Sequence, residues 1–132
     1  MPTDNFLTSN EPFFSTSDAH TADDLINSAR AEGFAVVEFN AENLLTKENI
    51  FAEFEKRLSF PGYFGHNWDA MDECLADLPD WLEAKGYLLV IRNASLLNSR
   101  PDLNKMLRDV LATASKRLEA YPEPKAFKTI LL

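Results

Sequence analysis

Residues 66–83 form a continuous acidic stretch with six carboxylates and no lysine or arginine. The carboxylates are Asp69, Asp72, Glu73, Asp77, Asp80 and Glu83. A helix turns by about 100° per residue, so a helix over this stretch has two different sides. The apolar side carries Trp68, Met71, Leu75 and Leu78, and the opposite side carries Asp69, Glu73 and Asp77. Carboxylates form charge-assisted hydrogen bonds with cationic groups, and the pattern therefore predicts a surface that binds a cationic partner.

The ordinary explanation of such a stripe is the solvated half of an amphipathic helix. A solvated stripe usually mixes both signs of charge, because opposite charges three or four residues apart stabilise a helix and like charges destabilise it. Here Asp69 has like-charged neighbours at Asp72 and Glu73. Asp77 lies near the predicted helix C-terminus, where the helix dipole favours cations. Since the arrangement costs stability, we interpret the stripe as functional.

An enzyme is the first alternative. It would use His66 with Asp69 as base and orienting acid, or His66, Asp69 and Glu73 as metal ligands. No specific motif supports either site, and we predict no catalytic residue, metal or cofactor. Cys74 borders the apolar stripe without a neighbouring base, which favours a buried, inert thiol.

The 132 residues are enough for one core without a metal or disulfide. The net charge of −8 argues against direct binding to nucleic acid, which lysine and arginine drive. Residues 1–99 hold 17 acidic and 6 basic residues, so the acidic surface belongs to this part. A single cysteine, together with the lack of a signal-like or long apolar segment, predicts a cytoplasmic protein without membrane contact. We expect a monomer.

Apolar periodicity predicts an α/β fold with a small three-stranded parallel sheet flanked by helices. The predicted strands are Phe34–Phe39, Tyr87–Ile91 and Phe127–Leu132. The predicted helices run from Thr21 to Glu32, from Thr46 to Leu58, from Asn67 to about Leu78, and from Pro101 to Ala120. Gly33 should stop the first helix, and Asn67 should cap the acidic one. Residues 1–17 show no sustained period and are predicted to be a loosely packed arm.

An aromatic turn, Phe60-Pro61-Gly62-Tyr63-Phe64-Gly65, precedes the acidic helix. Gly65 offers a position that can take a positive φ. Residues 60–75, FPGYFGHNWDAMDECL, resemble the barstar family of intracellular ribonuclease inhibitors. The family pattern there is an apolar residue, Pro, Tyr, an aromatic residue, Gly, any residue, Asn, an apolar residue, Asp, Ala and an apolar residue, then an acid, Cys and Leu. The element order from residue 34 to 132 is also similar to that family. We therefore expect a barstar-like domain over 33–132 and an N-terminal extension with one helix over 1–32.

The resemblance implies an inhibitor or immunity protein whose acidic helix and preceding loop block a basic, barnase-like ribonuclease, with carboxylates in place of RNA phosphates. Asp69 matches the first contact aspartate, and Glu73 stands where the family usually has the dominant one. The full set of predicted partner-binding residues is Tyr63, Gly65, Asn67, Asp69, Asp72, Glu73 and Asp77.

The chain departs from the family pattern at four positions, Glu73, Asp72, Leu78 and His66. Glu73 is one methylene longer than aspartate, Asp72 and Leu78 stand at aromatic contact positions, and His66 replaces a common acid. These differences predict a related nuclease rather than barnase itself. The second alternative is a barstar-like interaction module whose partner is not a nuclease.

Overall fold

The computed structural model describes residues 6–132, and the sheet within them has four strands in the order β1-β4-β3-β2, all parallel. The strands are β1 (Phe13–Ser15), β2 (Phe34–Asn40), β3 (Gly86–Arg92) and β4 (Ala126–Leu131). The parallel α/β fold is confirmed, and β2 to β4 lie within a residue of their predicted bounds.

Strand β1 was not predicted, since its residues were assigned to a loosely packed arm. It pairs with β4, so that Phe13 lies beside Thr129 and Ser15 beside Leu131. A strand of three residues is too short to show a two-residue period. Its structure depends on a pairing partner more than a hundred residues away, which local sequence does not reveal.

The helices are α1 (Ala19–Ala31), α2 (Lys47–Arg57), α3 (Trp68–Ala76) and α4 (Pro101–Glu119), with short 3₁₀ turns at Ala41–Asn43, Leu78–Asp80 and Ala94–Ser99. Helix α1 begins earlier than predicted because Asp18 is its N-cap and accepts from His20 N. The Thr21 hydroxyl donates to the same carboxylate at 2.8 Å. Gly33 follows the helix with φ +87°, as a stop signal requires.

The two faces of the sheet bury two apolar clusters. On one face, α1 packs against alternate residues of β3 and β4, namely Leu88, Val90 and Ile130. On the other face, side chains of α2, α3 and α4 pack against Tyr87, Leu89 and Ile91 of β3. Because this alternation fixes which helices share a face, α3 lies across the sheet from α1.

Lys128 of β4 is a fully buried cation that contacts the N-terminal segment. Its Nζ donates to the Glu11 carbonyl at 2.8 Å and also to the Ser9 carbonyl. The Glu119 carboxylate lies 3.4 Å away, and the Phe6 ring centroid lies 5.6 Å away. These contacts hold residues 6–11 against the sheet.

Candidate functional site

Helix α3 presents the predicted acidic side to solvent. Its Asn67 cap accepts from Ala70 N at 2.8 Å, as predicted, and donates through Nδ2 to the Gly65 carbonyl at 3.2 Å. Asp69 lies in the first turn, where the helix dipole stabilises a negative charge. The predicted apolar side is buried at Met71, Leu75 and Leu78, with Trp68 half-buried. The cap thus joins the helix to the preceding loop.

Asp69, Glu73 and Asp77 are exposed on one side of α3. Among residues 6–132, no lysine, arginine or histidine forms an ion pair with any of the three. Asp77 closes the helix as its C-cap, where the dipole disfavours an acid. Burial raises the pKa of the nearby Tyr121 hydroxyl, and the negative charges of Asp77 and Asp80 add to this effect.

Asp72 differs from the other acids, and the sequence interpretation of one uncompensated face is wrong at this residue. Its Oδ2 lies 3.0 Å from Nη1 of Arg117 on α4, and its side chain is only 27% exposed. Residues 72 and 117 are far apart in sequence, so no local spacing signals the pair. The ion pair turns Asp72 toward α4, and Asp72 as a partner contact stays a prediction.

The loop before α3 is held by aromatic packing. Phe60 and Phe64 are buried, with ring centroids 5.0 Å apart in an edge-to-face arrangement. The Phe64 amide closes the turn by donating to the Pro61 carbonyl at 3.0 Å. Tyr63 lies between these two rings in sequence but points outward, with 78% of its surface exposed. The buried Phe60 and Phe64 rings therefore anchor the loop, and the Tyr63 side chain is exposed on it.

Within the 60–66 loop, the backbone position with positive φ is His66, at +51°, and not Gly65 as the sequence suggested. A β-carbon at Gly65 would lie 3.2 Å from Nδ2 of Asn67 and 3.7 Å from the Ala70 side chain. A side chain at position 65 would therefore crowd the capping amide, which glycine avoids. His66 Nε2 pairs with Glu55 of α2 at 3.0 Å, so the structure pairs this histidine with a different carboxylate from the one in the enzyme hypothesis.

The loop and α3 enclose a cleft of about 90 Å³. Its lining includes four of the predicted residues, Tyr63, Gly65, Glu73 and Asp77. Asp69 and Asp72 instead line a depression between α3 and α4, which also includes Asp109. Asn67 lines a third depression, of about 300 Å³, with Phe51, Trp68, His66, Lys47 and Glu48. All seven predicted residues thus line depressions around α3, but only four of them share one cleft. Asp72 lies on the side of α3 that faces α4.

Sequence reasoning missed three side chains that frame this surface. Tyr121 donates its hydroxyl to the Ala76 carbonyl and so stabilises the end of α3. Trp81 donates from its indole to the Leu58 carbonyl at 3.3 Å, which fixes the segment after α3. Arg117 pairs with Asp72. All three contacts join residues that are far apart in sequence, and no sequence motif predicts them.

Cys74 is buried, and burial is the main cause that raises the pKa of its thiol, with Asp77 and Glu73 adding to the effect. A raised pKa keeps the thiol protonated and unreactive. Leu78, which stands at a family contact position, is fully buried and cannot reach a partner. Within residues 6–132, no cluster of three metal-ligating side chains is present.

The fold places the chain among small α/β proteins with a parallel sheet, and its surface carries a solvent-facing acidic helix beside an exposed tyrosine. The chain belongs to the barstar family, because the model described as barstar, the barnase inhibitor, matches residues 34–129. This match confirms the resemblance seen in the sequence. A comparison with curated proteins gives no match. No helix in residues 6–132 has the length and apolar character needed to cross a membrane.

Proposed function

We propose that the protein is a cytoplasmic inhibitor of a basic, barnase-type ribonuclease and blocks its active site with α3 and the 60–66 loop. Membership of the barstar family supports an inhibitor of this class. The observation that carries the proposal is the set of exposed carboxylates of Asp69, Glu73 and Asp77, which have no basic partner within residues 6–132.

These carboxylates replace RNA phosphates in the proposed complex. A ribonuclease cleft binds phosphate through arginine, lysine and histidine, and carboxylates offer the same groups charge-assisted hydrogen bonds. The Asn67 cap and the buried Phe64 fix the geometry of helix and loop before binding. Fixed geometry reduces the ordering cost of association. Tyr63, 78% exposed at the rim of the cleft, supplies the aromatic contact.

The proposal is tested by titrating barnase-type ribonucleases with the protein while RNA cleavage is followed. We expect stoichiometric loss of activity and an association rate that falls as salt is added, because surface charges are screened. The variant Asp69→Asn/Glu73→Gln removes two charges with little change in side-chain volume. It should weaken inhibition by roughly a hundredfold or more, since each hydrogen bond to a charged group contributes about 1.5–3 kcal/mol.

The matched control is Asp23→Asn, which removes one exposed charge from α1 across the sheet and should leave inhibition unchanged. Inhibition that survives loss of Asp69 and Glu73 contradicts the site. The interaction-module alternative is supported instead if the protein inhibits no basic ribonuclease and the Asp69→Asn/Glu73→Gln variant no longer binds a different protein partner.

A further inference from the structure

A further cavity, of about 460 Å³ and open to solvent, lies at the carboxyl ends of β1 and β4. It shares no lining residue with the cleft beside α3. Its volume is within the range of small-molecule sites, and the carboxyl edge of a parallel sheet is where α/β proteins commonly bind ligands. Its wall is built from the ends of the two strands, the 3₁₀ turn Ala94–Ser99 and Arg108 of α4.

Arg108 is the charged side chain that lines this cavity. It is half-buried, its guanidinium lies 5.5 Å from the Phe13 ring centroid, and its Nε donates to Asn104 at 3.2 Å. Arg57, Arg92 and Arg117 each pair with a carboxylate, whereas Arg108, like Arg30 and Arg100, pairs with none in the described part of the chain. In a chain of net charge −8, a positioned arginine without an acidic partner is left available for an external anion.

The remaining polar lining consists of neutral donors. Ser15, Ser17, Ser95 and Asn98 line the cavity, and within residues 6–132 none of these side chains has a hydrogen bond to another protein group. No aspartate or glutamate side chain lines it. Hydroxyl, amide and guanidinium donors that line one cavity without a carboxylate suit an oxyanion, and the planar guanidinium matches phosphate oxygens in a bidentate fashion.

We propose that this cavity binds the phosphate group of a small phosphorylated molecule, with Arg108 as its principal contact. Serine and asparagine side chains complete the shell, and the Phe13 ring holds the guanidinium in place. The site is independent of ribonuclease inhibition, because it uses no residue of the acidic surface. Its failure and the failure of the inhibitor proposal are therefore separate outcomes.

The test uses the full-length protein and two probes, inorganic phosphate and glycerol 3-phosphate, titrated against amide NMR spectra at constant ionic strength. We expect saturable shifts at Ser15, Thr16, Ser95 and Asn98. Arg108→Met should weaken binding by roughly tenfold to a hundredfold, the value of a hydrogen bond to a charged group. Lys116→Met is the control, because it removes an exposed charge from the same helix away from the cavity.

Arg108→Lys keeps the charge but loses the planar fork, and it should bind with intermediate affinity. If Arg108→Met does not fold, Asn98→Ala changes an exposed residue of the cavity and should weaken the same shifts. Tighter binding of glycerol 3-phosphate than of phosphate supports a phosphorylated small molecule, and equal binding shows that the phosphate group alone is recognised. Shifts that do not saturate, or that are identical in Arg108→Met and Lys116→Met, overturn the proposal.

Discussion

Replacing Asn67 with alanine removes the link between the loop and the acidic helix. The side chain makes two hydrogen bonds, one from Ala70 N at 2.8 Å and one to the Gly65 carbonyl at 3.2 Å. Loss of a helix N-cap costs about 1 kcal/mol, and loss of the second, exposed bond costs about 0.5 kcal/mol. We therefore expect the free energy of unfolding to fall by about 1.5 kcal/mol, which lowers Tm by roughly 4–6 °C for a domain of this size.

The measurement is urea unfolding followed by circular dichroism. The slope of the free energy of unfolding against urea concentration should be unchanged. Asn67→Asp is the matched variant. It keeps the oxygen that accepts from Ala70 N and loses only the donor to Gly65, so its loss should be about a third of that of the alanine variant. If the two variants lose the same stability, or if alanine costs less than about 0.3 kcal/mol, the cap does not hold α3.

Three other predictions concern groups outside the helix cap. Lys128→Met should cost about 3 kcal/mol in urea unfolding, because it removes the donor to the Ser9 and Glu11 carbonyls. Glu119→Gln leaves both carbonyl contacts in place and removes only the longer ion pair at 3.4 Å, so it should cost less; equal losses would show that the ion pair, not the carbonyl contacts, matters. Burial raises the pKa of Tyr87 to about 12 from 10.0. The folded state then holds its proton longer than the unfolded state, so stability is full below pH 10 and declines as pH rises toward 12. Urea unfolding at several alkaline pH values should show this decline, and a smaller one in Tyr87→Phe. Arg117→Gln should change stability by less than about 1 kcal/mol but tighten binding to a basic ribonuclease by freeing Asp72, and weaker binding in a titration would contradict this.

Local signals in the sequence predict the elements that carry the candidate site. Asn67 before an amphipathic run indicates where α3 begins, and its φ of −142° with the bond to Ala70 N is the expected cap geometry. Gly33 ends α1 for a similarly local reason. The burial of Met71 and Leu75 follows from helical periodicity alone.

The features that the sequence does not predict are contacts between distant segments. Strand β1 forms because it pairs with the edge of β4. Asp72 is in an ion pair because α4 places Arg117 beside it. The left-handed backbone conformation occurs at His66 and not at the neighbouring Gly65. Glycine adopts a positive φ more easily than histidine does, so the sequence pointed to the wrong residue. Each of these depends on tertiary packing, which residue spacing within one element does not encode.

The central claim is that the acidic surface occupies the phosphate-binding cleft of a basic ribonuclease. Competition with a mononucleotide that binds the same cleft tests it most directly, by calorimetric titration of the nuclease at increasing nucleotide concentrations. We expect the apparent affinity for the protein to fall in proportion to nucleotide concentration, with no ternary complex. Affinity that does not change as the cleft fills with nucleotide would show that the protein binds elsewhere, and it would contradict the account.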